Sequence, residues 1–475
     1  FNAHVPHTVR SKETQGCNSC HVSAENDNNA WMAQLLLQGT NFVNFIGRYA
    51  YVATGKEGFE AVAVTEWEEP QAVIGSSLQK IVYPDDYAQH QKAKQELAVA
   101  HHHHAENARA VQLRGEYLFA ANGEGGFETY DVANIDNKDF SERITSAPVS
   151  PLGQRTFVKT KFAAAFALPT TMPMDPLRKT QFLPENEEQA IHPLYRYAYI
   201  ADREEGLVLV DITTLTDGNP SNNFLSRALT FNPDHLLDGA NAIAVAGRWL
   251  LIGADRGLIV LDVNEPLKPR VVSTLNGISK PTGIAVQFRY AFVTDASGLR
   301  TIDITDPAKP RIAANVSIAD ARNVYVARTY AYVAGGKQGV VIVDVERPEK
   351  PFIDQVFREG LHEVHDVKVG STNASTFAYV ADGEGGLKIL QLTSPEWTPT
   401  YAGFSPRPAP RLIAQRHTHG PALAVSKGLD RDRAVDESGN QVSIFNRIGA
   451  RPLSLEEMQR LYLRNGQLYT VSEMK

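Results

Sequence analysis

From about residue 39 to 405 the hydrophobic and polar positions repeat as a unit: an aromatic opening an apolar run, a turn with glycine, and a second apolar run usually closing on aspartate. The aromatics are Tyr49, Tyr117, Tyr197, Trp249, Tyr290, Tyr330 and Phe377. Eight or nine residues later come Gly58, Gly126, Gly206, Gly257, Gly298, Gly339 and Gly386. Five residues beyond these stand Ala63, Asp131, Asp211, Asp262, Asp303, Asp344 and Gln391. Runs such as Asn323-Val324-Tyr325-Val326, Tyr330-Ala331-Tyr332-Val333 and Val340-Val341-Ile342-Val343-Asp344 are β-rich and separated by turn residues, so they predict short strands. Gly257, Gly298 and Gly339 lie 41 residues apart, the length of one four-stranded blade. Seven units predict an all-β, seven-bladed β-propeller closed around an axial channel.

The pattern also assigns roles inside the unit. Each glycine is expected to take positive φ or to permit close packing, and each aspartate to cap a turn through its own backbone. Pro266 and Pro269, Pro307 and Pro310, and Pro348 and Pro351 cannot donate to a ladder and mark the loop before an outermost strand. Departures from the 41-residue spacing place insertions near residues 78–105 and 147–188. The stretch from Pro84 to Ala100 predicts a helix with proline at its first position. The expected organisation is a segment over 1–38, the propeller over 39–405, and a C-terminal extension over 406–475 with a helix near 454–465. The residues just before the innermost strands, expected at one channel mouth, are Asn41, Arg109, Gln189, Asn241, Thr282, Arg322 and His365. Two arginines and a histidine there suit an anion or carboxylate, although such polar rings commonly hold water.

Composition narrows the setting. A net charge of −7 over 475 residues argues against general nucleic-acid binding, and no run of about 20 apolar residues is present to span a bilayer. The chain begins at Phe1 without a charged and apolar leader, which is read as the removal of a signal peptide or a longer N-terminal part.

Chemistry enters at Cys17-Asn18-Ser19-Cys20-His21, which holds both cysteines of the chain in the spacing that attaches a c-type haem. Two thiols add to the haem vinyl groups and the adjacent histidine supplies an axial nitrogen. A reactive dithiol, a structural disulfide or half a zinc site are the competing readings. Zinc lacks further soft ligands here, and a thioredoxin-like dithiol belongs in a βαβ unit. For the second axial position the ranking is His7, then His4, then the cluster His101 to His104, where helical spacing lets only His101 and His104 share a face. An open position is the alternative. Met32, Met172 and Met174 rank lower, as sulfur donors. His362, Glu363, His365 and Asp366 make a weak metal pattern.

Leu207-Val208-Leu209-Val210-Asp211 and Val340-Val341-Ile342-Val343-Asp344 resemble the LVIVD repeats of bacterial and archaeal β-propeller proteins, often found at cell surfaces. The resemblance covers about three quarters of the chain and implies the fold without fixing a reaction. Together with the haem motif, it also resembles the C-terminal part of larger multihaem cytochromes that end in such a propeller. The expectation is a periplasmic, extracellular or cell-surface c-type cytochrome subunit carrying one covalent haem c. Its propeller would be an assembly scaffold, and its partners a redox protein or other cytochrome subunits. One alternative is a protein-interaction propeller whose haem is vestigial or absent. Another is a haem enzyme with an open distal site, an activity the sequence leaves open but weighs below electron transfer.

Overall fold

The computed structural model describes residues 42–46, 48–67, 69, 71–114, 117–132, 145–146, 156–169, 192–216, 224–372, 375–399, 405–426 and 429–434. It also describes 447–448, 451–452, 456, 463–464 and 467–468. Seven antiparallel sheets form the blades of a propeller. Blades 3 to 6 each run from the innermost to the outermost strand in chain order. Blade 5, for example, is Gly283–Gln287, Tyr290–Asp295, Gly298–Asp303 and Arg311–Ser317.

Blade 1 is built differently. Its second, third and outermost strands are Tyr49–Ala53, Phe59–Ala63 and Val99–His103, but its innermost strand is Ala424–Ser426 from the far end of the chain. The ring is therefore closed by residues beyond 405. The last strand of blade 7, Arg411–Arg416, also lies past that point. In blade 3 the innermost strand is Ala163–Ala167, within the stretch expected as an insertion, and Phe157–Val158 pairs with the third strand of blade 2. The expected segment over 1–38 lies outside the described residues. Most of the expected 454–465 helix does too, and Leu463–Arg464 pairs as a strand with Gln467–Leu468.

The repeated residues do consistent physical work. In every blade the opening aromatic of the second strand faces the closing residue of the third, as in Tyr197 against Asp211 and Tyr290 against Asp303. Asp211, Asp262, Asp303 and Asp344 each accept the amide two residues on, at 2.8, 2.9, 3.0 and 2.9 Å, which makes the expected turn cap. Gly257 takes φ of +116°, and a Cβ there would lie 2.4 Å from the Leu275 carbonyl oxygen of the outermost strand. Positive φ and close approach thus coincide. Just beyond that glycine the third and outermost strands of six blades share a register shift, as between Val260 and Leu261, which twists the outer strand.

The core lies between blades. Each of seven apolar clusters joins two neighbouring blades, for example Leu251, Val260, Ala291, Val293 and Ile302 between blades 4 and 5. The cluster of Ala50, Val52, Val62, Tyr379, Ile389 and Val425 seals blade 7 to blade 1.

The first insertion carries two helices, α1 (Ser77–Val82) and α2 (Pro84–Lys92). Ser76 caps α1 by accepting the Gln79 amide, and Pro84 opens α2 as expected. The helix expected to continue to Ala100 stops at Lys92, because Lys94 and Gln95 adopt positive φ of 56° and 63°. The chain then runs beside blade 7, where Leu97 and Gln415 exchange backbone bonds with their neighbours at 2.8 Å, and enters the outermost strand of blade 1.

Candidate functional site

In a four-stranded blade the start of the innermost strand, the turn between the second and third, and the end of the outermost lie on one face. That topology gathers side chains from most blades. His101, His102 and His103 lie in the outermost strand of blade 1, where Phe59 faces His103 and Ala61 faces His101. The strand corrects the helical expectation: with a period of two, His101 and His103 share one face, and His101 and His104 do not. His103 packs on the rings of Phe59 and Tyr130, at 5.2 and 5.0 Å between centroids. Burial, and then the neighbouring histidines, hold its pKa down at about 4, so this half-buried ring is neutral.

The opposite side of the strand is different. His102 stacks on His419 with centroids 4.3 Å apart and planes within 3°, and His104 meets His102 edge-on at 4.6 Å. His419 comes from the connection into the closing strand, within the stretch expected as a C-terminal extension. The signal available was the His417-Thr418-His419 spacing, which matches His102-His103-His104. His419 Nδ1 donates to Oε1 of fully buried Glu60 at 2.7 Å, and His102 Nε2 donates to the Glu57 carbonyl at 2.7 Å. Each ring is thus anchored through one of its two nitrogens, as the outer partner of a ligating imidazole anchors it. Glu60 Oε2 has no hydrogen-bond partner among the described residues.

The second cluster rings the channel mouth. Arg109, Asn241, Thr282, Arg322 and His365 immediately precede innermost strands as expected. Each backbone amide donates at 2.8 or 2.9 Å to the last part of the second strand, as Arg322 does to Ala334. Asn41 and Gln189 lie outside the described residues, and Leu423 and Phe162 precede the innermost strands of blades 1 and 3. The reason is the pairing just described: both blades take their first strand from elsewhere in the chain. Sequence reasoning also missed Arg203. It stands three residues before the repeat glycine, where blades 1, 2, 6 and 7 have Gly55, Gly123, Gly336 and Gly383. The guanidinium of Arg203 lies 4.5 Å from the Phe162 ring centroid and donates to Asn241 Oδ1 at 2.7 and 3.2 Å.

Across the mouth, Arg322 pairs with Asp320 at 2.7 Å, binds Glu363, and donates to the His365 ring. Burial lowers the His365 pKa and the Arg322 and Arg109 charges lower it further, which favours neutral imidazole. His362, Glu363, His365 and Asp366 do not converge. Asp366 is buried and instead accepts from Asn323 of blade 6 at 2.7 Å and Lys368 at 2.8 Å. Among the described residues no group of three metal-ligating side chains comes together. Cys17, Cys20, His21, His4 and His7 lie outside the described residues, as do Met32, Met172 and Met174.

The LVIVD repeat family matches residues 196–229, 239–276, 280–317, 319–353 and 372–394, so the chain carries LVIVD repeats in a seven-bladed propeller. No curated protein matches it in sequence. Among solved structures, a protein from Lactobacillus plantarum is 12% identical with a TM-score of 0.51, over 80% of this chain and 99% of that one. That likeness concerns the fold alone. The computationally designed Ika8 protein is 11% identical at a TM-score of 0.43, over 85% of this chain and 98% of that one. A chain of a nidogen/laminin complex is 10% identical at 0.36, over 65% and 93%. No helix among the described residues is long and apolar enough to cross a membrane.

Proposed function

We propose that this LVIVD-repeat propeller is a protein-interaction module of the periplasm or cell surface, whose working face carries the two clusters above. One observation carries the reading: His102, His104, His419, Arg109, Arg203, Arg322 and His365 reach the same face from different blades and connections. A rigid ring that presents polar and aromatic-like groups on one face is a docking platform. The test is photo-crosslinking from the full chain in its native envelope, with the crosslinker at His104 or Glu384 on this face, or at Leu267 on the rim. A defined adduct from the face positions and none from the rim supports the reading. Adducts from the rim alone sink it.

Cys17-Asn18-Ser19-Cys20-His21 favours a second reading, in which the platform carries haem c and partners are redox proteins. Cys17 and Cys20 would be the tethers and His21 one axial ligand. Among the described residues, His419 and His102 would suit the group as imidazole donors, since each ring is held in place through one nitrogen. Bound haem would supply outer-sphere electron transfer. An intact mass with one added haem and a low-spin reduced-minus-oxidised spectrum is the expected result. A mass without haem removes this reading and leaves the first standing.

A further inference from the structure

The two arcs of the channel mouth are neutralised unequally. On the side of blades 6 and 7, Arg322 has two carboxylates, Asp320 and Glu363, within ion-pair reach. On the side of blades 2 to 4, half-buried Arg109 makes no side-chain hydrogen bond or ion pair among the described residues. Among the described residues the Arg203 guanidinium is held by the neutral Asn241 oxygen and the Phe162 face. Glu124, whose charge acts on both arginines, is exposed, accepts from Asn107 at 2.9 Å, and forms no ion pair with either. Arg109 is close enough to disfavour the charge of Arg203, after burial, and of His365, after burial and Arg322. The two guanidiniums thus feel each other's charge, and exposed Glu124 is the carboxylate that acts on both without an ion pair to either.

The donors are also oriented. Arg203 Nε and Nη2 both fix the Asn241 oxygen, which turns the Asn241 Nδ2 donors away from that bond. Nη1 of Arg203 and the whole fork of Arg109 remain available. Stacking on Phe162 limits the swing of Arg203, so little side-chain freedom is left to lose on binding.

We propose that the arc formed by Arg109, Arg203 and Asn241 is a binding site for a small oxyanion, a phosphate or carboxylate group seated over the channel mouth. The Arg109 guanidinium, Nη1 of Arg203 and the Asn241 amide present donors to at least two oxygens, in bonds that charge makes strong. The site stands whether or not the chain carries haem.

Calorimetric titration of the full chain with inorganic phosphate, at constant ionic strength set with sodium chloride, tests it. Wild type is expected to bind one phosphate saturably, and R109Q and R203Q to bind about tenfold more weakly or worse, with unchanged circular dichroism. K268Q, which removes an exposed lysine on the blade 4 rim, should bind as wild type. Competition by acetate would assign the carboxylate source, and its failure the phosphate. No saturable phosphate binding by the wild type overturns the proposal. So does wild-type affinity in both arginine variants, or equal weakening in all three.

Discussion

At the scale of single residues, burial of ionisable groups decides more than their number. Glu69, between the third strand of blade 1 and α1, is 2% exposed, and burial pushes its carboxyl up to about 7 despite bonds from Gln71 that pull the other way. The folded chain therefore holds this proton more tightly than the unfolded chain does. The stability it contributes is fully present below the ordinary value of 4.5 and is lost as pH rises towards 7. Replacing Glu69 with Gln should flatten the fall of the urea midpoint across that window while leaving acid stability nearly unchanged. A midpoint that keeps the wild-type slope would count against a buried, protonated Glu69. The repeat glycines show how far one position can be read in advance. Gly257 was expected to need positive φ or close packing, and it needs both. Arg203 and His419 fall outside the periodic pattern, because one replaces a turn glycine and the other lies in a connection of no regular structure.

At the scale of elements, the two exceptions to the closing aspartate share an explanation. Blade 1 has Ala63 and blade 7 has Gln391 at that position. Gln391 Oε1 accepts the Ser77 amide at 3.1 Å, and Ser77 Oγ meets Ser394 Oγ at 2.7 Å, so α1 is pinned onto blade 7. Ala63 instead donates its amide to Ala98 at 3.0 Å, where the insertion returns to its own blade. The insertion thus takes over the places that an Asp turn cap occupies elsewhere. Gln391→Ala should cost about 1–3 kcal/mol, the penalty for orphaning buried donors. It should also speed proteolysis within residues 66–98 before the rest of the chain is cut. Uniform protection would mean that α1 is held by something else. The histidine run belongs at this scale too. A helix and a strand offer four consecutive histidines different partners, and the break at Lys94 and Gln95 selected the strand.

At the scale of the whole molecule, the ring depends on a strand of three residues. Val425 is fully buried against Val52 of blade 1, and its amide donates to Asp366 in blade 7 at 3.1 Å. Val425→Asp would place a carboxylate in the core between these blades and should lower stability by about 3 kcal/mol or more. The same change at exposed Val271 should stay within about 0.5 kcal/mol. Urea unfolding of both variants checks the contrast, and equal effects would argue against closure at blade 1. Closure also sets the working face, since the connection that delivers Ala424–Ser426 brings His419 beside His102.

What the sequence by itself determined is local and periodic: the repeat glycine, the facing aromatic and aspartate, the strand runs and hence seven blades. Each follows from steric and hydrogen-bonding demands that recur every blade, so repetition makes them legible. Tertiary structure alone decided which strand begins blades 1 and 3, which face the histidines of blade 1 occupy, and which cations at the channel mouth lack carboxylates. Those outcomes depend on contacts between residues as far apart as Val52 and Val425 or Glu60 and His419. No local propensity encodes such pairings, because their energy comes from burying one segment against another only after the ring has closed.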